Sequence, residues 1–405
     1  MITRGEQMLA LRRRRMASAS PFFRGGFRPF FFGGTAWGLA ALLLWTGSLS
    51  GFLALPTHFD PLAWHRHEML FGFVGAIVGG FMLTAIPNWT GRLPIAGRPL
   101  AALFSLWAAG RVAVLCSEIT GRWASAAIDV SFYLLLAFVA AREVMESRNR
   151  NLPIVGLVLL FGLANALDHA GAARVIANAD LGWMFALSLV LLMISLIGGR
   201  IVPSFTRNWM TKRGVKKGLP TQPGRFDLGV IGATAIAMLA WMTAPESTLS
   251  GGLLVVAAVL QAVRMARWGG LRTISDPLVV ILHIGYAWMP FGLLLLGLTV
   301  MGNAVPRSVG IHALTAGAMT TMILAVMTRA SLGHTGRELR ANAPTIAIYV
   351  LVTAGAALRV TAPLGWIDYM PAIRASALAW GAALLLFLIA YGPVLFRPRL
   401  GETVA

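Results

Sequence analysis

The sequence predicts an all-α, polytopic membrane protein with about 12 transmembrane helices. Of its 405 residues, 57% are hydrophobic and only 12% are charged, and the mean hydropathy is +0.74. Soluble domains carry less apolar and more charged sequence than this. The apolar residues fall in runs close to the roughly 20 residues that cross a bilayer core as a helix. These runs lie near residues 30–53, 64–89, 98–116, 124–142, 152–170, 181–202, 226–245, 249–268, 277–299, 306–330, 343–361 and 373–396.

Lysine and arginine are distributed unevenly between the connections that join these runs. Alternate connections collect about 27 of the 34 Lys and Arg residues, and such a bias places the basic loops in the cytoplasm. Both termini are therefore predicted to be cytoplasmic. The net charge of +19 then indicates topology and contacts with lipid headgroups rather than nucleic-acid binding. The first 20 residues have no apolar core, so no cleaved signal peptide is expected.

The chain is predicted to divide into two halves of six helices each. Prolines and glycines occur among basic residues at 203–225, which predicts a long cytoplasmic loop there. This loop would separate a first half at 30–202 from a second half at 226–396. A basic cytoplasmic segment at 1–29 and a cytoplasmic tail at 397–405 complete the chain.

Three short segments suggest an internal repeat. Residues 85–90 (AIPNWT) align with residues 201–206 (IVPSFT), and residues 326–329 (VMTR) occupy the corresponding end of the tenth run. Three repeats of four helices would explain these matches, since internal repeats often build membrane folds.

The start of the second run brings ionisable groups to the mouth of an apolar helix. Asp60 is a favourable N-cap and Pro61 a favourable first residue, so His65, His67 and Glu68 are predicted to lie on the helix. At about 100° per residue, the two imidazoles point roughly 200° apart and would serve two sites. Small residues line the stripe below His65, and both close helix packing and a flat macrocycle would suit such a stripe.

Four histidines are predicted to share one level of the membrane. The topology places His65, His67, His169 and His312 near the outer face. Polar residues in membrane helices are costly and tend to be functional, and neutral imidazole is a common ligand of haem iron and copper. These four are therefore predicted to bind metal. The single Cys116 excludes covalent C-x-x-C-H haem attachment, so any haem is held non-covalently.

Charged residues on the same helices are candidates for supporting roles. Glu68 and Asp168 each precede or follow a histidine directly, and each is predicted to orient an imidazole of another helix or to relay protons. Arg111 has two open interpretations: an ion pair with Asp129 or a salt bridge to a haem propionate.

Three further residues are candidates for copper. His283 lies deeper than the other histidines and indicates a second site or a structural hydrogen bond. His334 lies in a glycine-flanked turn, where it could also cap the end of the tenth helix. Met319 offers a soft thioether ligand or apolar packing.

Four segments of the sequence resemble the NnrS family: residues 64–73 (WHRHEMLFGF), 283–288 (HIGYAW), 312–319 (HALTAGAM) and 332–337 (LGHTGR). The resemblance spans nearly the whole chain. It implies a bacterial inner-membrane protein with 12 spans that contains haem and copper. It also implies a link to denitrification and nitric oxide exposure, and a role in protecting the cell from nitrosative stress.

With this resemblance, the four histidines are predicted to bind haem b, with copper as a second metal. The expected role is relief of nitric oxide stress through binding, redox conversion or protection of iron, which leaves open whether the protein is an oxidoreductase. The expected partners are the lipid bilayer, nitric oxide or a related small molecule, and an electron donor. The alternative is a secondary transporter in which the same His, Glu and Arg residues line a path for protons or a small anion.

Overall fold

In the computed structural model, the described residues are 16–147, 152–302 and 305–401, together with residues 7, 10, 11 and 14. They form helices and loops, and no strand occurs among them. Twelve helices of this described part are long and apolar enough to cross a membrane, as the sequence predicts, so the chain is a multi-pass membrane protein. They are α1 (Phe27–Leu49), α2 (Pro61–Thr90), α3 (Arg98–Leu115), α4 (Arg122–Glu146), α5 (Leu152–Ala172), α6 (Leu181–Lys212), α7 (Arg225–Thr243), α8 (Thr248–Ala266), α9 (Pro277–Val300), α10 (Arg307–His334), α11 (Ala343–Leu364) and α12 (Tyr369–Phe396).

Polar caps set where several of these helices begin. The Asp60 carboxylate accepts hydrogen bonds from the backbone N–H groups of Leu62 and Ala63, at 2.8 and 3.1 Å. Asp276 caps α9 in the same way, and Asn342 caps α11. Such caps satisfy backbone donors that have no partner inside the helix. The predicted start of α2 is therefore confirmed, and it places His65 and His67 on the helix.

The helices group into two compact units. The first comprises Met1–Ala186, Ser331–Arg337 and Leu388–Ala405, and the second comprises Leu187–Ala330 and Glu338–Phe387. The predicted division into halves at 30–202 and 226–396 stays a prediction.

The connection after α6 is shorter than the sequence predicts. Helix α6 continues through Pro203 and ends only at Lys212, which corrects the predicted loop over 203–225 to a connection over 213–224. A proline removes one backbone hydrogen bond from a helix. The bond lost at Pro203 would run to the carbonyl oxygen of Gly199, and the chain nevertheless stays helical from Gly199 to Lys212.

Three helices contain a π-helical stretch: α2 at Glu68–Val74, α6 at Ile194–Gly198 and α10 at Ala313–Met319. No other helix in the described residues has one. In the most apolar 18-residue window of each of these three helices, 72%, 67% and 67% of the residues are buried, which are the largest shares among the twelve helices. They are also spaced four helices apart, as a threefold repeat of four helices requires. Because π-helical turns often mark functional sites, the stretch in α2 indicates a functional site near Glu68.

Side chains from neighbouring helices donate hydrogen bonds to backbone carbonyl oxygens in the π-helical stretch of α2. The Tyr133 hydroxyl donates to the carbonyl oxygen of Phe71 at 2.5 Å, and the Trp107 indole N–H donates to that of Gly72 at 3.0 Å. An unsatisfied backbone carbonyl inside a membrane costs several kcal/mol. These two donors from α4 and α3 therefore stabilise the π-helical stretch.

The small residues of α2 let its neighbours approach closely. A Cβ atom at Gly80 would lie 2.8 Å from the Cβ of Phe30, and one at Gly79 would lie 3.3 Å from the ring of Phe132. One turn before Gly80, Ala76 packs against Gly34 of α1. Of the two uses predicted for the small stripe of α2, the structure shows close helix packing.

Candidate metal centre

Four helices of the first unit bring polar side chains together near one end of their bundle. His67 and Glu68 lie near the start of α2, Asp129 near the start of α4, and His169 near the end of α5. Arg111 lies near the end of α3. At 1.5 Å per residue, each lies roughly 10 Å or less from that end. His67 and His169 therefore lie at similar depths, whereas a common level for all four predicted histidines stays a prediction.

Asp129 is the hub of this group. Its Oδ2 atom lies 2.9 Å from Nε2 of His67 and 3.1 Å from Nε2 of His169. One ligand atom from each of the three residues can be chosen so that all lie within 4.8 Å of one another. Two imidazoles and one carboxylate at this spacing can hold a single metal ion.

Two residues of α5 complete the surroundings of the histidines. The Asp168 Oδ2 atom lies 2.8 Å from Nδ1 of His67, so this imidazole lies between two carboxylates. The Asn165 amide donates to Oδ2 of Asp129 at 2.9 Å. Because carboxylates only accept hydrogen bonds, each contact of His67 needs a proton or a metal ion between the two atoms.

Arg111 links this group to a second buried carboxylate. Its Nη1 donates to Oε2 of Glu68 at 2.7 Å, and its Nη2 donates to Oδ1 of Asp129. The Trp37 indole N–H also donates to Oε2 of Glu68, at 2.5 Å. The other oxygen of Glu68 is buried and has no hydrogen-bond partner among the described residues. The predicted Arg111–Asp129 ion pair is thus confirmed.

The group is largely buried and unbalanced in charge. The exposed fraction is 0% for His67 and Glu68 and 1% for Asp129 and Arg111. The rings of Phe59 and Phe71 lie 4.8 and 5.0 Å from the ring of His67. With neutral imidazoles, three carboxylates face one guanidinium, and a buried charge without compensation is costly. About two additional positive charges, supplied by protons or by a cation, would therefore neutralise the site.

A family described as NnrS protein matches residues 21–399 of the 405-residue chain. The chain belongs to the NnrS family. Comparison with curated proteins finds no match. Membership of the NnrS family suggests a membrane protein connected with nitric oxide, and the buried group of His67, Asp129 and His169 is compatible with metal binding.

The two histidines of α2 in this NnrS chain have different neighbours, as the helical geometry predicts. His67 faces α4 and α5, whereas the ring of His65 stacks on that of Trp45 in α1, with 4.7 Å between the centroids and 18° between the planes. Haem ligation by His65 stays a prediction.

His312 lies in the second unit, directly before the π-helical stretch of α10. Its Nδ1 atom lies 2.7 Å from the carbonyl oxygen of Ser308. A carbonyl only accepts, so Nδ1 is the donor in this contact. Metal-binding histidines are commonly held in this way, but haem ligation by His312 stays a prediction.

The three residues predicted to bind copper have different neighbours. Nε2 of His283 lies 2.8 Å from the Thr206 hydroxyl. Met319 is buried at the end of the π-helical stretch of α10. The ring of His334 lies 5.4 Å from that of Phe27. Copper ligation by His283, His334 and Met319 stays a prediction.

Sequence reasoning missed the centre of the group. It predicted Asp129 only as a partner of Arg111, and it gave no role to Asn165 or Trp37. It expected Glu68 to address a histidine of another helix, as Asp168 does, but the structure pairs Glu68 with Arg111 and Trp37. The spacing of Asn165, Asp168 and His169 was an available signal, because residues three and four apart share one helix face.

Proposed function

We propose that this NnrS family member is an inner-membrane metalloprotein that relieves nitric oxide and nitrosative stress. Its metal centre is the group of His67, Asp129 and His169, which would lie near the periplasmic face with both termini in the cytoplasm. The observation that carries the proposal is a buried His/Asp/His group inside the membrane spans of a chain that belongs to a family linked to nitric oxide.

Charge and donor type favour a divalent first-row transition metal at this centre. Three carboxylates and one guanidinium leave two negative charges in a largely buried site, and a divalent cation would neutralise them. The nearest donors are imidazole nitrogens and a carboxylate oxygen. Such donors suit Fe²⁺, Cu²⁺ or Zn²⁺ and lack the thiolates or thioethers that favour Cu(I).

The surrounding residues each have a defined part in such a centre. Asp168 would hold the Nδ1–H of His67 and so present Nε2 to the ion, which is a common arrangement for metal-binding histidines. Arg111 holds the second oxygen of Asp129 and limits its rotation. Phe59 and Phe71 exclude water. A bound iron or copper ion would supply a centre that binds nitric oxide and can exchange an electron with it.

Non-covalent haem b is also part of the proposal, held by histidines outside this group. His67 does not fit a haem in the observed arrangement, because carboxylates lie against both of its ring nitrogens and two phenyl rings flank it. His312 is proposed as an axial ligand, since its Nδ1 lies 2.7 Å from the Ser308 carbonyl oxygen, a contact of the kind that commonly orients metal-binding histidines. His65 remains a second candidate.

Metal analysis of the purified full-length protein tests the proposal. We expect a Soret band from haem and, in addition, about one equivalent of non-haem iron or copper, because the described residues contain one group of three such ligands. Asp129→Asn should remove the non-haem ion and leave the Soret band. His58→Ala, which changes an exposed loop histidine, should keep both.

A colourless and metal-free preparation would defeat the proposal. It would favour the transporter alternative, in which the buried carboxylates of Glu68 and Asp129 carry protons across part of the membrane. Proton uptake by reconstituted vesicles would then be the measurement to make.

A further inference from the structure

The side chain of Asn165 reaches the same oxygen atom as the two histidines of the metal centre. Its Nδ2 atom lies 2.9 Å from Oδ2 of Asp129. The Nε2 atoms of His67 and His169 lie 2.9 and 3.1 Å from this oxygen. Asn165 is thus as near to the oxygen as either histidine is, and it belongs to the same cluster of polar atoms.

A neutral His67 directs a lone pair into this cluster. The Asp168 carboxylate only accepts hydrogen bonds, and its Oδ2 lies 2.8 Å from Nδ1 of His67. With the ring proton on Nδ1, the lone pair of Nε2 faces the Asp129 oxygen at 2.9 Å. Two electron-rich atoms repel at this distance unless a cation lies between them. The point that Asn165 also faces is therefore a place for a cation.

The amide oxygen of Asn165 is a lone pair without a use. Asn165 is 0% exposed, and its Oδ1 atom has no hydrogen-bond partner among the described residues. Native structures rarely leave such a buried oxygen unsatisfied. A half-turn about the Cβ–Cγ bond exchanges the oxygen and the nitrogen of the amide and brings Oδ1 to the cluster. A carboxylate selects the orientation with the N–H₂ group toward it, whereas a bound cation selects the orientation with the oxygen toward it.

Position and spacing both suit a fourth ligand. Asn165 and His169 are four residues apart on α5, the spacing at which two side chains of one helix hold a single ion. Tetrahedral coordination with bonds of about 2.0–2.1 Å separates neighbouring ligand atoms by about 3.3–3.4 Å. The three contacts around Oδ2 of Asp129, at 2.9, 2.9 and 3.1 Å, need to lengthen by only a few tenths of an ångström.

We propose that Asn165 is the fourth protein ligand of the metal centre and binds the ion through Oδ1. The inference rests on the proposed function, because it needs a metal ion at His67, Asp129 and His169. It makes the donor set two imidazole nitrogens and two oxygens. Since an amide is neutral, a divalent cation still balances the charge of the site. A second oxygen donor also makes the site less suitable for Cu(I).

The test loads the purified full-length protein with Co²⁺ after removal of non-haem metal by a chelator. Cobalt K-edge X-ray absorption reports the number of atoms bound to Co²⁺ and is not disturbed by haem iron, and competition with a chelator gives the affinity. Asn165→Leu fills the volume of the amide without a ligand atom. We expect one bound atom fewer and an affinity at least about 100-fold lower, whereas removal of a residue that only orients a ligand costs about 10–100-fold and leaves the bound atoms unchanged. Asn88→Leu, which removes an exposed amide of α2, should match the wild type.

Asn165→Asp keeps the inference testable if the Leu variant holds no Co²⁺. It retains an oxygen at the ligand position and removes the N–H₂ donor, so it should bind Co²⁺ at least as tightly as the wild type and with the same number of bound atoms. A wild-type set of bound atoms in Asn165→Leu, or binding more than about tenfold weaker in Asn165→Asp, would overturn the inference and leave the three-residue centre standing. A wild-type protein that binds no Co²⁺ would refute the proposed function itself and, with it, the fourth ligand.

Discussion

The buried carboxylate of Asp129 holds side chains of several helices together. Its two oxygens contact two histidines, one amide and one guanidinium from three other helices. In a membrane interior such contacts decide whether the charge is tolerated at all, because no solvent competes for them. Arg111 is the matching cation, and it is nearly completely buried.

Replacing Arg111 by Met should destabilise the protein by about 3–5 kcal/mol, because removal of one partner leaves buried charges uncompensated. The measurement is chemical unfolding in detergent micelles. Arg307→Met is the control, since Arg307 and Glu246 form an exposed pair at 3.7 Å, and such pairs contribute about 1 kcal/mol or less. Equal stability of the two variants would contradict the importance of the buried pair.

Replacing Asp168 by Asn should weaken metal binding by about 10–100-fold, the usual effect of removing a residue that orients a metal-binding histidine. The Nδ1 atom of His67 would lose its carboxylate partner, and the imidazole would lose its fixed orientation. Competition with a chelator gives the affinity. Glu118→Gln, at an exposed acidic residue, is the control. An unchanged affinity in Asp168→Asn would show that Asp168 does not orient His67 toward a metal.

At the scale of the element, the π-helical stretch of α2 sets which way the residues after His67 face. Within this stretch, the carbonyl oxygens of Gly72 and Phe71 accept hydrogen bonds from Trp107 and Tyr133. The stretch begins at Glu68, directly beside the metal centre. The local geometry of α2 and the position of the site are therefore coupled.

Tyr133→Phe should lower the free energy of unfolding by about 1–3 kcal/mol, because the Phe71 carbonyl would be buried without its partner. Unfolding followed by tryptophan fluorescence measures this. Tyr369→Phe removes the hydroxyl of an exposed tyrosine and should change stability by about 0.5 kcal/mol at most. A similar loss in both variants would mean that the bond to Phe71 has no special role.

At the scale of the whole molecule, the orientation in the membrane decides which compartment supplies the ligand. The bias of basic residues predicts that the connection over 213–224 is cytoplasmic and that the connection between α5 and α6 is periplasmic. The proposed metal centre would lie at the periplasmic end in this orientation.

Cysteine labelling in intact cells tests the orientation. The only native cysteine, Cys116, is first replaced by Ser. A cysteine introduced by Ala177→Cys should then react with a membrane-impermeant maleimide in intact cells. One introduced by Lys216→Cys should react only after the cells are opened. The reverse pattern would place the metal centre at the cytoplasmic face.

The sequence predicted the helices well and the site only in part. Run lengths and caps depend on neighbouring residues, so Asp60 and Pro61 were enough to predict the start of α2. The opposite directions of His65 and His67 followed from helical geometry. The partner of Glu68 could not be predicted in this way, because the π-helical stretch begins at this residue and no local sequence pattern indicated it.

What the sequence determined by itself is the membrane architecture, since the length of each apolar run and the thickness of a bilayer are sufficient to predict twelve spans. Only the tertiary structure decided that Asp129 joins His67 to His169 and that Arg111 compensates two carboxylates. The physical reason is that these contacts link residues 18 to 62 positions apart. They depend on the rotation and depth at which separate helices pack, and no local sequence signal specifies either quantity.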